Sequence, residues 1–226
     1  MAHYEVEIKS LLGDKENADA LVRRMQELDA NTAVTSENKQ LNHYFEGGDV
    51  AKLFEATKEL FDAAAREKFA TMLAKGKNFS VRTRQRDDEV LLVLKASVDE
   101  GTSANTVSRL EFEERVPLSL EALDQKVQNA GFTYQAKWSR ERVEYAYKDA
   151  NVCLDKNAGY GYLAEFEKVI PNEDAVGATR DEIEALMREL GVTELPQDRL
   201  ARMFDFYNKN WRDYYGTTVF GSSSCM

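Results

Sequence analysis

Glu5, Glu7 and Lys9 stand at alternate positions in the run Tyr4-Glu5-Val6-Glu7-Ile8-Lys9, whose other members are strand formers. In a β-strand a period of two sends the three charged side chains to one face and Tyr4, Val6 and Ile8 to the other. Two carboxylates so placed suit a hard divalent cation, or a cationic side chain on the neighbouring strand. A single strand of this kind fits an ordinary wet sheet face. Repetition along the chain changes that balance.

Arg82, Arg84 and Arg86 alternate with Val81, Thr83 and Gln85, and Lys95 closes a run whose other face holds Val90, Leu92 and Leu94. Arg109, Glu111, Glu113 and Arg115 alternate with Leu110, Phe112 and Val116, with Glu114 as an exception. Arg140, Arg142 and Glu144 alternate with Val143, Tyr145 and Tyr147, although Glu141 breaks the rule. Asp155 has the opposite parity to Val152 and Leu154, and Glu165 and Glu167 flank Phe166. Solvated strand faces mix Thr, Ser, Gln and Lys, whereas these are rich in Arg and Glu. Arginine suits forked contacts with phosphate oxygens, and paired Glu side chains on neighbouring strands suit a divalent ion.

A sheet with one apolar parity needs helices over that face, and the charged parity must look into bulk water or into an enclosed polar space. The economical arrangement is a sheet curled on itself, helices outside and a charged lumen inside, able to bind a metal and a polyphosphate.

The Glu5-x-Glu7-x-Lys9 run resembles the N-terminal motif of the CYTH superfamily, the triphosphate tunnel metalloenzymes. Further matching motifs follow in that family's order: Tyr44-Phe45, Val81-Arg82-Thr83-Arg84, Leu94-Lys95, Glu111-Phe112-Glu113, Arg140 and Arg142 before Tyr145, Leu154-Asp155, and Gly159-x-Gly161 leading to Glu165-Phe166-Glu167. The resemblance spans residues 3 to 170 or so. It implies an α+β fold with a closed antiparallel eight-stranded β-barrel, a polar charged lumen and helices packed outside. It also implies that Glu5, Glu7, Glu165 and Glu167, with Glu111 and Glu113, hold Mg²⁺ or Mn²⁺. Lys9, Arg82, Arg84, Lys95, Arg140 and Arg142 are then the expected phosphate contacts. Lys9, Glu5 and Glu7 are the expected catalytic set, with Lys9 either on the terminal phosphate or assisting water activation. Asp155 fits either the phosphate site or the cap of a tight turn. The bland alternative for the glutamates is cross-strand pairing with Arg.

Departures from the family bear on the choice among its members. Asn42-His43 precedes the Tyr-Phe pair where many members have a hydroxyl or acidic residue. His3-Tyr4 lies only two residues before Glu5, whereas the cyclases begin with a His-Phe pair several residues upstream. Arg202-Met203-Phe204-Asp205 stands where many members have a Ser-Tyr pair.

The 226 residues fit one CYTH-like domain over 1–215, with a helical insertion at 47–78, C-terminal helices at 172–215 and a disordered tail at 216–226. Helical spacing is expected at 15 to 29 after an Asp14 cap, at 50 to 75, from Leu118 to Ala130 before Gly131, at 179 to 190 before Gly191, and at 197 to 210. The phenylalanines of the insertion, Phe54, Phe61 and Phe69, read as helix core in preference to a stacking platform.

The formal charge of −10 argues against a nucleic-acid surface, which needs an exposed basic stripe. No apolar stretch approaches a membrane span and no signal peptide precedes the first strand, so the expected address is the cytoplasm, as a monomer or homodimer. Cys153 and Cys225 are not expected to pair. His3 and His43 lack metal-ligand neighbours and read as structural or incidental.

A triphosphate resists attack by water through charge repulsion and poor positioning, which cationic clamps with a metal can reduce. The expected partner is therefore a triphosphate-containing small molecule and the expected activity is metal-dependent hydrolysis of inorganic triphosphate, a nucleoside triphosphate or thiamine triphosphate. The alternatives are a class IV adenylyl cyclase and a non-catalytic binder of polyphosphate or nucleotide.

Overall fold

The structure, a computed structural model, describes residues 4–97, 109–171 and 173–217. His3, Cys225 and most of the expected tail lie outside the described residues. Eight strands are present: β1 (Tyr4–Gly13), β2 (Ala33–Gly47), β3 (Lys77–Arg86), β4 (Glu89–Ser97), β5 (Arg109–Arg115), β6 (Phe132–Tyr147), β7 (Ala150–Asn157) and β8 (Gly161–Ile170). The α-helices are α1 (Lys15–Leu28), α2 (Val50–Thr57), α3 (Ala63–Lys75), α4 (Leu120–Asn129), α5 (Val176–Leu190) and α6 (Gln197–Tyr214). The strands form one antiparallel sheet in the order β1-β8-β7-β6-β2-β3-β4-β5. Among the described residues β1 and β5 each have a single ladder partner, so the expected closed barrel is not closed by hydrogen bonds.

The chain divides into two compact units. The first takes the described residues up to Lys39 and from Ser139 onward. Its strands follow the period of two: Val6, Ile8, Val152, Leu154, Ala164 and Phe166 are buried against Ala18, Leu21 and Met25 of α1 and Ile183, Met187 and Leu190 of α5. Asp14 caps α1 by accepting from the Asn17 N–H at 2.9 Å. Gly161 is required at the start of β8, because its φ is +84° and a Cβ there would lie 2.0 Å from the Gly13 carbonyl oxygen. On the charged parity, Leu11 and Leu163 pack with Leu195, Leu200 and Met203, so the α6 segment covers one end of that face. The Leu195 N–H donates to the Lys9 carbonyl at 2.7 Å and fixes this cover to β1.

The second unit runs from Gln40 to Trp138. Val81, Leu92, Leu94 and Phe112 of its strands bury against Leu53 of α2, Phe69 and Met72 of α3, and Leu120, Leu123 and Val127 of α4. The expected helix over 50 to 75 is two helices. A 3₁₀ turn at Lys58–Leu60 follows α2, Phe61 is extended, and Asp62 restarts the helix by accepting from the Ala65 N–H at 2.8 Å. Phe54, Phe61, Phe69 and Phe112 meet edge-on or tilted, with centroids 4.8 to 6.4 Å apart, and belong to this core.

Candidate active site

In the first unit the sheet register assembles the charges. Lys9 lies opposite Glu165, and Glu7 opposite Glu167, in the β1–β8 ladder. Cys153 lies opposite Glu165 and Asn151 opposite Glu167 in the β7–β8 ladder, and Arg142 opposite Asp155 between β6 and β7. Parity then points these side chains to one face.

Lys9 donates to Glu7 and lies 3.3 Å from a Glu165 oxygen. Arg142 bonds both Asp155 oxygens at 2.7 Å and also donates to Glu165. Arg140 donates to Asp155 at 2.6 Å. Asp155 is fully buried, and its carboxylate pairs with both guanidiniums. Forked contacts of this kind fix both guanidinium planes.

The carboxylates of Glu5, Glu7 and Glu167 offer oxygens that lie within 4.8 Å of one another. Like charges directly opposite on neighbouring strands repel, and Glu7 with Glu167 is such a pair. Burial first, then the carboxylates Glu165 and Glu5, push the Glu167 carboxyl up to about 8. Asn151 donates to Glu167 at 3.0 Å. Glu165 behaves oppositely: burial would raise it, but Lys9 and Arg142 outweigh that and hold it well below the usual carboxylate range. Burial opposes the charged form of Lys9 too, and Glu165 and Glu7 overcome it, keeping the ammonium above its ordinary value. The Cys153 thiol, buried among these groups, is pushed up by that burial. An all-oxygen trio with surplus negative charge fits a hard divalent cation. Glu5, Glu7 and Glu167 form one group with the spacing of metal ligands, and Cys153, Glu165 and Glu167 form another.

The second unit carries its own charged cluster. Arg84 donates to the Asn42 side-chain carbonyl at 2.8 Å and to Glu113 at 2.9 and 3.1 Å. Arg82 donates to the Tyr44 hydroxyl at 3.0 Å, and its guanidinium lies 5.1 Å from the Tyr44 ring centre. The Arg82 Nε is buried with no hydrogen-bond partner among the described residues. Lys95 is ion-paired with Glu111. Burial would raise the Glu111 carboxyl, but Lys95 outweighs it and lowers it. Arg86 pairs with Glu89 at 2.9 Å and approaches Glu113 at 3.5 Å.

The register thus brings Glu5, Glu7, Lys9, Arg140, Arg142, Asp155, Glu165 and Glu167 together in one unit, while Arg82, Arg84, Lys95, Glu111 and Glu113 cluster in the other. Glu111 and Glu113 sit in ion pairs, and among the described residues neither joins a group of three ligands. Alternation of Gln40, Asn42 and Tyr44 with Leu41, His43 and Phe45 gives Asn42 and Tyr44 one face, and the β2–β3 register then pairs them with Arg84 and Arg82. Asn151 carried no signal of its own, because its role depends on a cross-strand neighbour.

Fold and site define a class: α+β proteins built on one eight-stranded antiparallel sheet whose charged face is lined by carboxylates and guanidiniums. The family model described as the CYTH domain matches residues 3–199, and the chain belongs to the CYTH family. Among solved structures it is similar to the PH1012 protein of Pyrococcus horikoshii OT3, with TM-score 0.59 and 17% identity over 84% of this chain and 92% of that one. A candidate adenylate cyclase of Vibrio parahaemolyticus gives TM-score 0.57 and 15% identity over 89% and 99%. The Hippeastrum protein HpAC1, a candidate adenylyl cyclase described as revealing a dominant triphosphatase activity, gives 0.51 and 16% over 89% and 96%. At these identities the likeness is one of fold. No curated protein matches the chain. No helix among the described residues is long and apolar enough to cross a membrane.

Proposed function

We propose that the protein is a metal-dependent triphosphatase that cleaves the terminal phosphoanhydride of inorganic triphosphate, a nucleoside triphosphate or thiamine triphosphate. The observation that carries this reading is the Glu5, Glu7 and Glu167 trio set beside Lys9 and Arg142, a cation site next to buried cations. Membership of a family of triphosphate tunnel metalloenzymes supports it. Mg²⁺ or Mn²⁺ on the trio would neutralise phosphate charge and acidify a bound water.

The chain's own residues then have separate tasks. Lys9, held charged by Glu7 and Glu165, meets the charge of a phosphate oxygen. Arg140 and Arg142 present guanidinium edges already oriented by Asp155, so less freedom is lost on binding. Asp155 acts through those arginines. The second unit offers a separate set of cations of the type that contacts phosphate, Arg82, Arg84 and Lys95, with Glu113 holding Arg84 and Glu111 holding Lys95. The unsatisfied Arg82 Nε is a donor whose burial costs free energy until an acceptor reaches it. The α6 segment, packed on one end of the charged face, keeps water from that end. Water's oxygen forms the new bond to the terminal phosphorus, the anhydride oxygen leaves with the diphosphate, and the proton passes to solvent.

Incubation with tripolyphosphate, ATP or thiamine triphosphate, each with Mg²⁺ or Mn²⁺, tests this reading. Orthophosphate release supports it. Cyclic AMP with pyrophosphate from ATP would make the protein a cyclase, and tight binding without turnover would make it a binder.

A further inference from the structure

We infer that Asp124 is a positioning residue that sets the strand pair β2/β3 from the side opposite the arginines, an inference that rests on the proposed role of Arg82 and Arg84 in holding phosphate. Asp124 lies on α4 between Leu123 and Val127, which are fully buried. A leucine there would bury as well, so a buried carboxylate calls for a specific reason. Its two oxygens accept three hydrogen bonds: from the Thr83 hydroxyl at 2.6 Å, from the Tyr134 hydroxyl at 2.6 Å and from His43 Nδ1 at 2.7 Å. Burial would raise this carboxyl, but the bonds from His43, Thr83 and Tyr134 outweigh it and hold it below the usual range.

His43 and Thr83 are directly opposite each other in the β2–β3 ladder. Their neighbours in the same ladder are Tyr44 opposite Arg82 and Asn42 opposite Arg84. Alternation sends those four side chains to the other face, where Arg82 meets Tyr44 and Arg84 meets Asn42. One carboxylate on the helix side therefore bridges the two strands at the positions between the two arginines. A slip of one residue in either strand would turn its arginines toward the core, and the bridge adds a directional hydrogen-bond constraint to the apolar pattern that already opposes such a slip. Tyr134 donates to the same carboxylate from β6, outside the pair, and so adds stability without joining β2 to β3.

That difference supplies the test. Thr83→Val keeps shape and removes one side of the bridge; Thr83→Ser restores the hydroxyl; Tyr134→Phe removes a bond to the same carboxylate and keeps the ring; Asp124→Asn replaces an acceptor by an amide donor. Each full-length variant is checked for folding by circular dichroism and assayed well below its melting temperature. Calorimetric titration with tripolyphosphate and Mg²⁺ should show Thr83→Val and Asp124→Asn binding about tenfold or more weakly, with KM raised, as expected when a binding group is displaced by a fraction of an ångström. Thr83→Ser should recover the wild-type affinity, and Tyr134→Phe should lose stability while keeping it. Amide hydrogen exchange reads the same claim without any ligand: Thr83→Val should speed exchange at residues 42–44 and 82–84, and Tyr134→Phe should not. Equal effects of Thr83→Val and Tyr134→Phe, or none from Thr83→Val, would overturn the inference. Wild-type protein that binds no triphosphate, yet shows the exchange difference, would instead sink the functional reading and leave the bridge in place.

Discussion

Glu167 faces Glu7 across the β1–β8 ladder and its carboxyl is pushed up to about 8, so at neutral pH the metal-free protein carries a proton there. Its folded value lies above the ordinary 4.5, so its contribution to stability is fully present below that value and is lost as pH rises through about 8. A cation must displace this proton, which predicts proton release on Mg²⁺ binding at pH 7 and affinity that climbs toward pH 8. Calorimetry in buffers of different ionisation enthalpy measures the release, and Glu167→Gln should abolish it. Two other glutamates separate rate from stability. Glu5 is exposed, so Glu5→Gln should lower turnover by more than the roughly 10- to 100-fold typical of groups one shell out from a metal, with little change in melting. Glu165 is buried between Lys9 and Arg142, so Glu165→Gln should in addition cost about 3–5 kcal/mol in a denaturant titration. Unchanged turnover in Glu5→Gln would return the trio to simple cross-strand pairing.

At the scale of elements, the α2–α3 segment, expected from the sequence to be an insertion, packs into the core of the second unit. Phe69 is fully buried against Phe54, Phe61 and Phe112, so Phe69→Ala should destabilise by about 3–5 kcal/mol while the relative rates on different triphosphates stay the same. A change in substrate preference in that variant would mean that the insertion reads the organic part. The core role of these rings was legible from helical spacing, and so were α1, α4, α5 and α6 to within a few residues, with the Asp14 cap, Gly131 and Gly191 marking ends of the first three. The break at Asp62 was missed although its cue was present: an aspartate before Ala63-Ala64-Ala65 is a helix start as well as a helix residue. The charged parity of β1, β3, β7 and β8 was legible because one face of each is buried. Along β6 it is less so. Phe132 and Tyr134 belong to one apolar core and Tyr145 and Tyr147 to the other, so the apolar parity changes along the strand and no single period of two describes it. That the sheet is not closed by hydrogen bonds among the described residues could not be read at all, since alternation fixes which face a side chain takes and not which strand is its neighbour.

For the molecule as a whole, a net charge of −10 would repel a triphosphate, yet the cations that matter are gathered on a few strands. Each charge-assisted phosphate contact is worth about 1.5–3 kcal/mol, against about 0.5–1.5 kcal/mol for one ring stack. Several such contacts act together in the proposed site, so the phosphate chain should dominate binding, and inorganic triphosphate should displace ATP or thiamine triphosphate. The same dominance should appear as stabilisation. A ligand at a hundred times its Kd adds about 2.7 kcal/mol to the folded state, and in a chain of this size each kcal/mol raises Tm by about 2–4 °C. Tripolyphosphate with Mg²⁺ should therefore raise Tm by roughly 5–11 °C, and pyrophosphate at equal concentration by less, because it reaches fewer cations. Excess chelator should reduce the shift without abolishing it, since Lys9, Arg140 and Arg142 keep their charge when no metal is bound. A melting curve that moves with ATP but not with tripolyphosphate would defeat this prediction, and would assign the binding energy to a pocket for the base.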